Sequence, residues 1–161
     1  MDLCIQGFHA WRPIASAIIA VPRLGPAKAV TFTAPLIRAV GAYGRLCGGN
    51  SAHSVLVLGG DGLAARELLR QPGVDKIVQV ELDPAVIELA CTTMRSANGG
   101  SLDNPRVHVI TDDAMTWLRG PQHGSFDAVI VDLPDPDTPV LGRLYSTEFY
   151  ALVSRALAPG G

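Results

Sequence analysis

The sequence predicts an α/β fold, a parallel sheet with helices packed on its faces. Two observations carry that expectation. From residue 54 onward, short apolar runs rich in Val and Ile alternate four times with stretches of helical character. Carboxylates also recur just after the apolar runs: Asp61, Asp83, Asp112 with Asp113, and Asp132 with Asp135. Right-handed crossovers bring the C-terminal ends of such strands to one edge of the sheet, where ligands of these folds bind.

The elements follow in order. Residues 1–50 hold few charges, four prolines and no clear period. Within them 14–21, IASAIIAV, is bounded by Pro13 and Pro22. It is far shorter than the roughly 20 residues that a membrane span needs. No basic segment precedes it, so it does not read as a signal peptide. It fits a short buried helix or strand. A short helix is expected around 35–45, and no strand firm enough to join the sheet is evident in this segment. Gly48-Gly49-Asn50 reads as a turn or linker. The chain is therefore divided into a poorly defined segment, 1–50, and a core, 51–161.

In the core, 55–58 is the first strand and runs into Gly59-Gly60-Asp61-Gly62. Residues 63–70 form a helix that Pro72-Gly73 breaks. Residues 77–82, IVQVEL, form the second strand. Asp83 then caps a helix with Pro84 at its first position, running to about Met94. Asn98-Gly99-Gly100 opens a loop before the third strand, 107–111, and a third helix at 114–118. The fourth strand is 126–132. Ser146 caps a last helix, 147–157, ahead of Pro159-Gly160-Gly161.

Composition narrows the function. The chain of 161 residues is 48% apolar and 17% charged with a net charge of −2, which describes a globular domain. The absence of a basic block argues against nucleic acid as a partner. Cys4, Cys47 and Cys91 are scattered, as free thiols in a reducing, cytoplasmic compartment would be. His9, His53, His108 and His123 show no zinc spacing.

The strand ends supply the chemistry. Gly60-x-Gly62-x-x-Ala65 satisfies a relaxed nucleotide-binding fingerprint, and its glycines allow close approach of backbone to ligand. Glu81 lies about 20 residues further on, where a ribose-binding acid belongs in a Rossmann-like sheet. Asp61 inside the turn would repel a pyrophosphate and attract a cation. That favours a positively charged cofactor such as a sulfonium nucleoside over a nicotinamide dinucleotide. Asp83 reads as a helix cap, and Asp112 could be one too. In FDAVIVDLPDP a strand delivers Asp132 to the crevice, and Pro134 and Pro136 restrict the turn that carries Asp135. Carboxylates held this way can bind an amine and accept its proton, although an Asp- and Pro-rich turn is also common in loops.

These residues resemble a known family, the polyamine aminopropyltransferases or spermidine synthases. The likeness runs from about residue 55 to 161 through VLVLGGDGLAARELL, KIVQVELDPAVIELA, GGSLDNPRVHVITDDAMTWL, FDAVIVDLPDP and LYSTEFYALVSRALAPGG. The NGGSLDNPRV and DLPDP wording is most similar to a bacterial branch whose members often carry a membrane-embedded region upstream. The resemblance implies a methyltransferase-type Rossmann-like sheet and transfer of an aminopropyl group. Decarboxylated S-adenosylmethionine would be the co-substrate and a polyamine such as putrescine the acceptor, giving spermidine and methylthioadenosine without a metal. By the same resemblance, Gly60, Asp61 and Gly62 form the cofactor turn, with Asp61 facing the aminopropyl end. Glu81 holds the ribose hydroxyls, and Asp113 and Ala114 contact the adenine. Asp132 is the general base, and Asp135 orients the amine. Family members commonly form homo-oligomers.

The sequence departs from the family pattern in three places. Leu58 stands where the family's GGGDG turn has its first glycine. Residues 1–50 show neither the family's N-terminal β-hairpin region nor its Tyr-His-Glu stretch. The family also continues with a further strand after the position of Gly161. The sheet is therefore expected to be incomplete at the C-terminus, with one edge of the fourth strand unpaired and the chain self-associated or poorly soluble, and weak or inactive as an enzyme. Two other readings stay open: a methyltransferase using S-adenosylmethionine, disfavoured because Asp61 opposes a cofactor carboxylate, and a non-catalytic remnant that binds nucleosides or a partner.

Overall fold

The computed structural model describes residues 16–20, 30–32, 53–121, 125–134 and 136–159. The short helix expected at 35–45, the cysteines Cys4 and Cys47, and Asp135 lie outside them.

Among the described residues the sheet has six strands: β1 (Ser16–Ala20), β2 (Val30–Phe32), β3 (Ser54–Leu58), β4 (Lys76–Glu81), β5 (Val107–Thr111) and β6 (Ala128–Leu133). Their spatial order is β2-β1-β6-β3-β4-β5. The four strands of the core pair in parallel, β6 with β3, β3 with β4 and β4 with β5. The α/β architecture with a parallel sheet is thus the one the alternation of elements implies. The C-terminal ends run along one edge in the order β6, β3, β4, β5.

Alternation within each strand sorts side chains between two cores. Leu56, Leu58, Val78, Val80, Val129, Val131 and Leu133 face one side, against α4 (Ala114–Leu118) and α6 (Thr147–Ala156). Val55, Val57, Ile77, Val107 and Ile130 face the other, against Ala64, Ala65 and Leu68 of α1 (Leu63–Leu69) and Ala90 of α2 (Pro84–Cys91). Burial on both faces explains why the strands read as continuous apolar runs.

Two features differ from expectation. The helix expected to reach Met94 ends at Cys91, and a separate turn of helix, α3 (Arg95–Asn98), follows. The β-branched pair Thr92-Thr93 is the physical reason: the Thr92 hydroxyl donates back to the Glu88 carbonyl at 2.7 Å, and the Thr92 backbone leaves the helical region. The second difference corrects the edge prediction. β6 does not present an open edge, because β1 pairs with it antiparallel from Ser16↔Leu133 to Ala20↔Val129. β1 falls within the apolar run 14–21, and β2 pairs antiparallel on its far side. Pairing with β6 supplies the tertiary context that so short a run lacks locally.

Candidate functional site

The turn after β3 is the centre of the C-terminal edge. Gly59, Gly60 and Gly62 have φ of 83°, 95° and 89°, a region that favours glycine. At Gly60 the need is also steric, since a Cβ there would stand 2.7 Å from Asp132 Oδ2. Leu58, where the family's turn has another glycine, is still strand: it is fully buried and registers with Val80 and Val131. The left-handed positions keep their glycines.

Asp132 is the penultimate residue of β6, on the same face as Ile130, and its carboxylate stands over Gly60. Burial, then the charges of Asp61 and then Glu81, push its pKa up to about 6. Two of the sequence-derived acids, Asp61 and Glu81, therefore stand near enough to a third, Asp132, for their charges to act on it. Asp61 stays local through its side chain, accepting from the Leu63 amide at 3.1 Å. Glu81 ends β4 and accepts from the Asp83 amide at 2.9 Å. Its pKa is raised, chiefly by burial, against the opposing pull of the Asp83, Leu82 and Gly60 amides. Beside it Leu82 is 62% exposed, an apolar side chain at an otherwise polar edge.

The end of β5 is built differently. Asp113, rather than Asp112, caps the following helix: its Oδ1 accepts from the Thr116 amide at 2.9 Å and the Thr116 hydroxyl at 3.0 Å. Asp112 accepts from the Asp113 amide at 2.7 Å. The Asp113 pKa is lowered, because the Thr116 contacts and the Arg143 guanidinium outweigh the burial that would raise it. Arg143 bonds the other carboxylate oxygen. It lies in a 3₁₀ turn, Arg143–Tyr145, that follows the short helix α5 (Pro139–Gly142). Ala114 is buried at the start of α4. Asp83 does cap α2, accepting from the Ala85 amide at 2.8 Å.

Sequence reasoning missed several supports. Gln79, Asn98 and Ser101 hold the glycine turn through its carbonyls. The Tyr145 hydroxyl donates to the Pro134 carbonyl at 2.7 Å and braces the turn after β6. Polar residues inside apolar text were the available signal for Gln79, and LYSTEFY contained Tyr145 without a stated role. A cavity of about 320 Å³ is lined by Arg66, Arg70, Arg106 and the 98–101 segment. It contains none of the crevice carboxylates. Among the described residues, no group of three or more His, Cys, Asp or Glu is placed to hold a metal ion. No helix among them is long and apolar enough to cross a membrane.

The arrangement can hold a cation against Asp61, hydrogen-bond vicinal hydroxyls through Glu81, and take a proton on Asp132. Comparisons with known proteins show the family of the chain. A family model described as the spermine/spermidine synthase domain matches residues 44–161. The chain is 79% identical over 116 residues to a polyamine aminopropyltransferase of Mycobacterium tuberculosis, covering 70% of this chain and 22% of that protein. A crystal structure of spermidine synthase in complex with the transition state analogue AdoDATO aligns with a TM-score of 0.67 and 27% identity, over 93% of this chain and 54% of that one. Spermidine synthase from Thermotoga maritima aligns with a TM-score of 0.65 and 26% identity, over 94% of this chain and 53% of that one. The chain thus spans about a fifth of the length of the curated relative, 22%, and about half, 54%, of the solved synthase.

Proposed function

Because the chain belongs to the spermine/spermidine synthase family, we propose that its core, residues 51–161, binds decarboxylated S-adenosylmethionine and directs its aminopropyl group to an amine such as putrescine. The observation that carries this reading is the Asp132 carboxylate, partly buried over Gly60 and electrostatically coupled to Asp61 and Glu81. An acid with a pKa of about 6 is largely ionised at neutral pH yet basic enough to take a proton from an ammonium poised to react.

In this reading Glu81 accepts hydrogen bonds from the ribose hydroxyls, and Leu82 offers the base an apolar surface. Asp113 and Ala114 bound the adenine. Asp61 faces the cationic aminopropyl end. Asp135 holds the far side of the amine. Asp132 takes a proton from the amine, whose lone pair then attacks the carbon next to sulfur. The carbon–sulfur bond breaks with its electrons moving to the sulfonium, leaving neutral methylthioadenosine. The leaving group is already activated, so most of the task is orientation. Three acids in one crevice also oppose the carboxylate of S-adenosylmethionine, which argues against the methyltransferase reading. A homo-oligomer in the cytoplasm completes the proposal, supported by the family and by the scattered thiols.

The test is methylthioadenosine release from decarboxylated S-adenosylmethionine with and without putrescine, together with calorimetric binding of each nucleoside. Glu81→Gln should weaken decarboxylated S-adenosylmethionine and methylthioadenosine alike, since a charge-assisted hydrogen bond contributes about 1.5–3 kcal/mol. Unchanged affinity for methylthioadenosine would remove Glu81 from the ribose. Tighter binding of S-adenosylmethionine than of its decarboxylated form would overturn the reading of the crevice.

A further inference from the structure

Three successive carbonyls of the glycine turn each accept a hydrogen bond from a buried side chain. Gln79 Nε2 donates to the Gly60 carbonyl at 2.7 Å, Asn98 Nδ2 to the Asp61 carbonyl at 3.0 Å, and Ser101 Oγ to the Gly62 carbonyl at 2.7 Å. The donors come from three places: β4, the end of α3, and the 3₁₀ turn Ser101–Asp103. Gln79 and Asn98 are 0% exposed and Ser101 is 3% exposed.

Stability alone does not call for this set. Asn98 is fully employed, with a second bond to the Ala90 carbonyl at 2.8 Å and one accepted from the Gly100 amide at 2.9 Å. Gln79 is not. Its Oε1 is buried with no hydrogen-bond partner among the described residues. A buried amide with an unmet acceptor is a net liability in the middle of a strand, between Val78 and Val80 and registered with Val57 and Val109. What Gln79 accomplishes is to hold one peptide plane. No Cβ restricts the planes at glycines 59, 60 and 62. Among the described residues, backbone–backbone bonds hold only the ends of the turn, the Gly59 amide to the Val80 carbonyl at 2.7 Å and the Arg66 amide to the Gly62 carbonyl at 2.9 Å. Fixing the carbonyls inward fixes the direction in which the Cα–Cβ bond of Asp61 leaves the backbone.

We propose that Gln79, Asn98 and Ser101 are positioning residues that lock the peptide planes of Gly60, Asp61 and Gly62, and that they set the preference of the site for a cationic sulfonium over a neutral thioether. This rests on the reading of the crevice as a site for decarboxylated S-adenosylmethionine. The discriminating pair is that nucleoside and methylthioadenosine, which share adenine and ribose and differ in the charged arm that Asp61 would meet.

The experiment is isothermal titration of both nucleosides against the 161-residue chain and its variants Gln79→Met and Ser101→Ala, with Asp61→Asn as reference. Melting curves check that each variant folds. Wild type should prefer the sulfonium, and Asp61→Asn should lose most of that preference. Each positioning variant should weaken the sulfonium by about fivefold, the scale of one lost hydrogen bond, and leave methylthioadenosine within about twofold. If Gln79→Met does not fold, Ser101→Ala, the smaller change, carries the test. An unchanged preference ratio in the folded variants would overturn the inference. So would equal weakening of both nucleosides, which a merely structural role would produce. A wild-type chain that binds neither nucleoside fails earlier and differently: it refutes the reading of the crevice, and the inference with it.

Discussion

Asp132 stands where ionisation is costly. Its pKa rises from 3.8 to about 6 because burial and two neighbouring carboxylates disfavour the charge. Between about pH 4 and 6 the folded chain holds a proton that the unfolded chain releases. Stability therefore falls as pH rises through that window, and the deficit is complete above it. At roughly 1.4 kcal/mol per pKa unit, it amounts to about 2–3 kcal/mol at pH 7.5. Asp132→Asn should then do two opposite things. It should raise stability by about 1–3 kcal/mol at pH 7.5, with little effect at pH 4, in urea denaturation. It should also reduce aminopropyl transfer by at least about 100-fold, as expected when a general base is removed. A variant that is less stable at pH 7.5, or that turns over normally, would break the link between strain and catalysis. The same electrostatics sets a pH profile. In the proposed reaction, kcat/KM should fall on the acid side with an apparent pKa near 6. Asp61→Asn should move that limb to lower pH, because one of the charges that raises the Asp132 pKa is gone. A limb that stays in place would assign it to another group.

At the scale of elements, the glycine turn joins sequence to site. The strand–turn–helix pattern, the capping by Asp83 and Ser146, and the four core strands were legible because period, caps and turn residues each have a local physical cause. The turn's supports were not. A buried Gln in IVQVEL or an Asn before Gly-Gly becomes informative only when a distant backbone carbonyl is found against it. The cap of the helix after β5 was misplaced for a similar reason: Asp112 reads as a possible cap, and the Thr116 contacts give that role to Asp113. The turn also makes a sharp prediction. Gly60→Ala forces φ of 95° on a residue with a Cβ and sets that Cβ 2.7 Å from Asp132 Oδ2. The conformational cost alone is about 1–2 kcal/mol. The contact should in addition displace the carboxylate, so binding of decarboxylated S-adenosylmethionine should fall by more than the loss of stability explains. Gly99→Ala is the control: it also has positive φ, at 66°, but its Cβ would meet nothing closer than 3.8 Å, on Arg66. Equal effects of the two variants on binding would show that the approach to Asp132 is immaterial.

At the scale of the whole molecule, β1 couples the N-terminal segment to the site. Sequence reasoning left β6 with a free edge because β1 is five residues long and surrounded by prolines, with nothing local to specify a partner. In the structure β1 runs antiparallel along β6, and Ala17 is registered against Asp132 itself. The strand therefore covers backbone groups that would otherwise template pairing with another chain, and it steadies the end of β6 from which the Asp132 carboxylate projects. Ile18→Pro tests both roles through the backbone. Ile18 opposes Val131 in the ladder, and proline there restricts φ and removes a backbone donor in a strand flanked on both sides. The expected result is a shift to larger species in sedimentation velocity, with faster amide exchange along Val129–Leu133 than in wild type. Binding of decarboxylated S-adenosylmethionine should weaken as well, because Asp132 loses its brace while the turn after β3 is untouched. Faster exchange at β6 with unaltered sedimentation would separate the two roles and leave β1 a brace alone. If exchange at β6 does not change, β1 contributes neither cover nor support, and the aggregation expected from an open edge must be sought at β5 or β2, the outer strands of the sheet.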